Sequence, residues 1–401
     1  MVTLTRKHFL VSLAILSGLT LGGLARHAAW AAPDPIARPI KIGVIGPMSG
    51  PNAPYGSFEW RGASLATAQI NAAGGILGRK VELVRGDSEC TPVEAVLAAQ
   101  RMISKDHVPF MLGDICSAAT LALEPIVENA KVVLLNAASS DPDITYKAGV
   151  GGYHWTFRNY PTDEQRAGIV LKYATQRQHL HKFAILAVDN DYGRGEIKLS
   201  KKYFGRYGIK VTSEDYFEQS TTNFLPVLTK IKASGAKAIL MYGYGASTRL
   251  IARQMVELGM AGKVTLVGNG DYTESATIQA APSALEGAIE AAAWSEKYDN
   301  ARSLKFVSEY KAAYHGESPN VHAYTHWETM YLLAAAIRKA GTTSPAAVRK
   351  ALAGITYKGA TGAVTFDSHH QADLPMILYR VEHGKPVIKG IFRSKVVYPK
   401  A

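Results

Sequence analysis

Residues 40–89 read IKIGVIGPMSGPNAPYGSFEWRGASLATAQINAAGGILGRKVELVRGDSE. A short apolar strand, a turn rich in Gly and Pro, a helix of small residues and a second strand follow one another here. That order is a βαβ unit, and the end of its first strand places a site at the turn. The turn, 46–56, contains neither GxGxxG nor a GxxxxGK segment followed by Ser or Thr, so it is not built for a dinucleotide or a nucleotide phosphate. A smaller ligand is expected.

The same alternation continues outward. Apolar strand-like runs recur at 41–45, 81–85, 109–112, 132–135, 183–188, 210–216, 238–242 and 264–267. Helical patterns lie between them, such as 93–104 and 224–233, the latter stopping before Gly235. Strands alternating with helices predict an α/β protein with parallel, doubly wound sheets. Eight strands exceed the needs of one compact lobe, and FRNYPT at 157–162 breaks the pattern, so a lobe boundary is placed there. After about residue 294 the chain turns helical, at 301–314, 323–340 and 345–353, before a final β-rich stretch at 362–398. Two βα lobes without a low-complexity tether imply a cleft between them.

Composition agrees with a folded two-domain chain: 401 residues, 47% hydrophobic and 19% charged, bury a sizeable core and exclude disorder. Arg6 and Lys7 precede an apolar run at 9–25, and Ala29-Trp30-Ala31 suits a small-residue cleavage rule. Residues 1–31 therefore read as a secretory signal peptide, with the mature chain starting near Ala32. An uncleaved membrane anchor is the other reading; the run is short for a span and broken by Ser17, Gly18, Gly22 and Gly23. Without 1–31 the chain carries 42 basic and 33 acidic residues, a net +9. These charges are interspersed, as in KIKASGAK and SKKYFGRYGIK, and no basic run alternates with aromatics, so no nucleic acid partner is expected. Cys90 and Cys116 both fall where a strand gives way to a loop. In an oxidising compartment they are expected to pair, closing 25 intervening residues and stabilising the fold by about 3–4 kcal/mol on the loop-entropy model. Two separate buried thiols are the alternative.

Enzymatic signatures are missing: there is no GxSxG elbow, no HExxH and no CxxC. His322 and His326 stand four apart on an expected helix, and Asp367, His369 and His370 cluster later, but two histidines without a third ligand do not make a metal site. No metal and no cofactor are expected. What remains is a set of polar residues at strand ends. Ser117 follows Cys116, and Asn136-Ala137-Ala138-Ser139-Ser140 follows the strand at 132–135. Short hydroxyl side chains and backbone N–H groups there hold a carboxylate without a buried arginine; the same residue types also simply cap helices. Asp271, in GNGDY after the strand at 264–267, offers a negative partner for an ammonium group. Tyr192, Tyr244 and Trp327 supply apolar walls with a polar tip, or pack in the core.

Taken in order, these motifs carry a resemblance. KIGVIGPMSGPNAPYG, INAAGGILGRKVELVRGDSECTP, LGDICSAAT, LLNAASSDPDIT and VDNDYGRGE resemble the periplasmic branched-chain amino acid (Leu/Ile/Val)-binding proteins, the type I solute-binding proteins of ABC importers. The likeness spans nearly the whole mature chain. It implies the type I periplasmic binding fold, two Rossmann-like lobes joined by three crossover segments with a ligand cleft between them. By that likeness 32–158 plus about 294–360 form one lobe, and 159–293 plus about 361–401 the other. It also implies a Cys90–Cys116 disulfide and a ligand carboxylate held by Ser117, Ala137 and Ser139. Tyr55 in the first turn, with Tyr192 and Tyr244, would line the site, and the ammonium partner falls at Asp271 or, one register away, Gly270. Trp327 stands where a smaller aromatic is common. The expected function is a periplasmic receptor, not an enzyme, that takes a small amino acid-like ligand and delivers it to an ABC importer permease. Alternatives are the same receptor class serving an aromatic carboxylate, amide or urea-like ligand, a sensory binding protein and, more distantly, an exported α/β enzyme.

Overall fold

The computed structural model describes residues 38–393 and 395–399; the expected signal peptide, 1–31, lies outside them. Five parallel strands form the first sheet: β1 (Ile40–Gly46), β2 (Val81–Asp87), β3 (Phe110–Gly113), β4 (Val133–Asn136) and β5 (Thr156–Arg158), in the order β2-β1-β3-β4-β5. The near-continuous apolar runs of β1, β3 and β4 are what burial on both faces requires. On one face Ile42, Val44, Phe110 and Leu112 pack with the helices Ala53–Ala72 and Val321–Ala340. On the other, Ile45, Met111 and Leu134 pack with Pro92–Ser104 and Ser117–Ala130. The first two of these helices lie close because Gly62 has no side chain; a Cβ there would collide with the Ala323 carbonyl.

The second sheet is built from β6 (Lys182–Val188), β7 (Lys210–Phe217), β8 (Ala238–Tyr242), β9 (Thr265–Asn269) and β10 (Ile289–Ala292). A separate hairpin, β11 (Tyr357–Gly359) and β12 (Gly362–Val364), precedes β13 (Met376–Glu382) and β14 (Lys385–Phe392), which return to that sheet. Its order is β14-β13-β10-β9-β8-β6-β7, with β13 antiparallel to both neighbours and the strands from β6 to β10 parallel. The chain passes between the sheets three times, after Arg158, after Ala292 and between Leu374 and Met376. Thr162 closes the first passage: its side chain accepts from Gln165 N while the Gln165 side chain accepts from Thr162 N, a capping box that starts the helix Asp163–Gln176. The third passage comes later than the expected switch at about residue 361. Ala360, Val364, Ala372 and Leu374 are buried in the core of the first sheet, so the hairpin belongs to that lobe. β5 and β10, which the sequence does not announce, are three and four residues long, too short to display a period.

Candidate ligand-binding site

The parallel strands of both sheets end at one place. Beyond the carboxyl ends of the strands of both sheets lies a cavity of about 820 Å³, bordered by Asn52, Cys90, Ser117, Ser140 and Tyr160 from the first sheet's connections and by Tyr192, Gln219, Tyr244 and Asp271 from the second's. On the first lobe Cys90 and Cys116 are joined, Cα to Cα 5.4 Å, which ties the loop after β2 to the residue capping the helix Ser117–Ala130. Ser117, the first residue of that helix, turns its Oγ toward the β4 turn, where it accepts from Asp141 N at 3.4 Å. The turn itself is shaped by Asn136, whose Oδ1 accepts from Ala138 N and Ser139 N, both at 2.9 Å.

That turn corrects two expectations. Ala138 and Ser140 face the cavity, whereas Ala137 and Ser139 are fully buried behind it. Ser139 Oγ donates to the Asp114 carbonyl and pairs with Thr120 Oγ1 at 2.7 Å, so it fastens the turn to the helix beneath. The hydrogen-bonded turn presents alternate residues to the cleft, one register away from those expected.

On the second lobe Asp271 sits just past β9 with φ +55°, and its Oδ2 accepts from Tyr55 Oη across the cleft and from Gly245 N at 2.9 Å. Of the two positions considered, Asp271 places its carboxylate in the cleft, while Gly270 uses its N–H to bond Glu290 Oε1 at 3.0 Å. Burial raises the Asp271 carboxyl above the usual range, against the lowering effect of the Tyr55 and Gly245 hydrogen bonds. Burial and Asp271 together raise Glu274 as well, and push Glu290 up to about 7. Glu274 Oε1 accepts from Asn320 Nδ2 at 3.0 Å, a second bridge between lobes. Tyr244 meets Tyr55 edge-on at 5.9 Å and Tyr192 at 5.8 Å, so Tyr55, Tyr192 and Tyr244 form one aromatic wall.

Trp327 is not part of this site. It is buried in the first lobe, its ring 4.8 Å from Phe306 and its Nε1 donating to Gln69 Oε1 at 2.7 Å. The residues of its helix that line the cavity are Val321 and His322; five positions on from His322, a helix has rotated by about 140°, which carries Trp327 to the far side. His326 is also buried, its Nδ1 against the His322 carbonyl at 3.0 Å and its Nε2 3.7 Å from Glu59 Oε1. Among the described residues no group of three or more His, Cys, Asp or Glu is placed to hold a metal ion.

Several lining residues escape sequence reasoning. Arg166 is buried with its Nη1 on Asp163 Oδ1 at 3.0 Å and Glu196 Oε1 at 2.8 Å. With its amide oriented to satisfy both ends, Asn269 donates to Glu290 Oε1 at 2.8 Å and accepts from Tyr192 Oη at 2.8 Å and Arg166 Nη1 at 2.9 Å. Asn190 and Asn269 obey the strand-end rule that singled out Ser117, since they stand at the ends of β6 and β9, and that rule applied throughout would have found them. Arg166, inside a helix, carries no such signal.

A family model described as periplasmic binding protein matches residues 39–386. The leucine-, isoleucine-, valine-, threonine- and alanine-binding protein of Pseudomonas aeruginosa is 29% identical over 343 residues, which is 85% of this chain and 89% of that protein. The branched-chain amino acid transporter substrate-binding protein of Streptococcus pneumoniae, solved in complex with isoleucine, has a TM-score of 0.79 at 25% identity, covering 90% of this chain and 100% of that one. A solute-binding protein of an ABC transporter from Rhodopseudomonas palustris, in complex with 3,4-dihydroxybenzoic acid, has a TM-score of 0.80 at 22% identity, covering 88% and 97%. Two mostly parallel α/β sheets crossed three times by the chain, a cleft at their strand ends and a family match over this length lead to one conclusion: this chain belongs to the periplasmic binding protein family, with its type I fold.

Proposed function

We propose that this protein is the periplasmic receptor of an ABC importer and binds a small amino acid-like ligand by closing its lobes. The observation that carries this reading is the polarity of the cleft. Ser117 and Ser140, with the N-terminus of the helix Ser117–Ala130, line one lobe, and the carboxyl of Asp271 stands on the other. A zwitterion fits between such walls: its carboxylate takes hydroxyl and backbone donors at the positive end of a helix, and its ammonium pairs with Asp271. An ammonium at Asp271 also offsets the cost of ionising a buried carboxyl.

Closure follows from the same contacts. Tyr55 with Asp271 and Asn320 with Glu274 hold the lobes together across the cleft, and a ligand touching both walls binds that closed arrangement better than an open one. The permease then reads the closed form. No step of chemistry is required of any residue.

A second reading, an aromatic carboxylate, draws on the Tyr55, Tyr192 and Tyr244 rings and on the dihydroxybenzoate-bound relative. It leaves Asp271 without a cationic partner, which is why the amino acid-like ligand is preferred. The deciding experiment is native mass spectrometry of protein taken from the periplasm, followed by a thermal-shift panel of amino acids, aromatic acids and amides. Stabilisation by amino acids, with the ligand recovered unchanged, supports the proposal. Stabilisation only by acids lacking an ammonium group favours the second reading, and turnover of any ligand refutes both.

A further inference from the structure

The helix Val321–Ala340 begins at the cleft. Its cap, Asn320, accepts from His322 N and Ala323 N at 3.0 Å each, which fixes the first turn and places His322 against the cavity. His322 is only 6% exposed. Tyr160 stacks on it with ring centroids 6.2 Å apart, and Tyr55 meets it edge-on at 5.6 Å.

Among the described residues the Nδ1 of His322 has no hydrogen-bond partner. Of the other partly or fully buried histidines among the described residues, His326 shares this condition at its Nε2 but does not border the cavity; the Nδ1 atoms of His326, His369 and His370 face the carbonyls of His322, Thr145 and Thr156 at 3.0, 3.0 and 2.9 Å. A buried ring nitrogen left unpaired is costly, and a native site keeps one where a ligand completes it. Burial, reinforced by His326 and Arg166, lowers the His322 pKa to about 3, so the neutral ring offers one N–H and one lone pair. Arg166, the cation acting on this ring, is already bonded to Asp163 and Glu196, so it offers no free positive charge to a second carboxylate. An aliphatic side chain would bury the open nitrogen without satisfying it.

Resting on the reading of the cleft as an amino acid receptor, we propose that His322 is its specificity-determining residue: it hydrogen-bonds an uncharged polar group on the ligand's side chain, so the protein selects polar over branched aliphatic amino acids. The test is calorimetric titration with pairs of L-amino acids of matched shape: threonine and valine, asparagine and leucine, tyrosine and phenylalanine. In at least one pair the polar member should bind the wild-type protein about tenfold tighter or more, because a site built to hydrogen-bond rejects the analogue that cannot. His322→Phe should reduce that preference to about threefold or less, while His322→Gln, which keeps a hydrogen-bonding group, should retain most of it. The wild-type ratios stand as a test even if His322→Phe proves unstable. Apolar members binding as tightly as their partners in every pair, or a preference that persists unchanged in His322→Phe, would overturn the proposal while leaving the amino acid reading intact. Failure of all six amino acids to bind the wild-type protein would overturn that reading, and this inference with it.

Discussion

Replacing Asp271 by Asn should separate binding from folding. Asp271 occupies the left-handed region, φ +55°, where Asp and Asn are both tolerated, and its single oxygen Oδ2 accepts from Tyr55 Oη and Gly245 N. An amide oxygen has lone pairs for both donors, so Asn keeps these contacts and turns only the other position into an N–H donor. Because burial raises the Asp271 carboxyl, removing its ionisation leaves the variant as stable as the wild type or more so. A ligand ammonium, however, then meets a donor instead of a carboxylate. Truncating one partner of a buried charge pair costs 2–5 kcal/mol, and the lower end, about 2 kcal/mol, already weakens Kd ~30-fold. Calorimetric titration near neutral pH with the best amino acid from the thermal panel measures this, alongside the same ligand without its amino group. The wild type should lose as much on deleting the amine as on Asp271→Asn, and the variant should lose little more when challenged with the deaminated ligand. Unchanged affinity in Asp271→Asn, or an equal penalty for the deaminated ligand in both proteins, would refute the pairing.

Three further outcomes are expected. Trp327→Ala should cost about 3–5 kcal/mol of stability through the cavity left in the core, with the affinity of the folded protein unchanged; a loss of binding at full stability would return Trp327 to the cleft wall. Converting both Cys90 and Cys116 to Ser should lower stability by about 3–4 kcal/mol in denaturant titrations and weaken carboxylate ligands, since Ser117 is anchored through Cys116; an unmoved midpoint contradicts it. Burial, the first cause in each case, pushes Asp114 and Glu290 up to about 7 and Glu124 up to about 9. Their folded values lie above the unfolded ones, so stability is lost as pH rises through that range. His322 and His326, lowered by burial to about 3 and about 4, oppose this only below their unfolded value of about 6.5. The ligand-free protein should therefore melt at falling temperatures from pH 6.5 to pH 9, and a rising melting temperature over that interval would count against these assignments.

The order of elements was legible in the chain because each depends on local periodicity. Strands β1 to β4 and β6 to β9 begin and end within two residues of the apolar runs that announce them; for all but the partly exposed edge strands β2 and β7, the reason is that a strand buried on both faces must be apolar nearly throughout. Those strand ends also indicate where a cleft forms, because parallel strands joined by helices bring their carboxyl ends to the same edge. Ser117 and Asp271 were singled out on that ground, and Tyr55 by the resemblance alone. Which neighbour of a turn looks into the cleft is a different kind of question. Ala138 and Ser140 face it and Ala137 and Ser139 do not, because Asn136 hydrogen-bonds the turn into one register and Ser139 is drawn down to Asp114 and Thr120. His322 borders the cavity and Trp327 the core because the helix they share is rotated by its packing against Ala53–Ala72, at Gly62. Arg166 comes to the site from a helix whose own sequence says nothing of it. The sequence by itself determined the longer elements, their order and the edge at which a ligand is met, since these follow from short-range pattern. Only the tertiary structure decided which side chains meet that ligand, because direction within a turn or around a helix is set by partners distant in the chain.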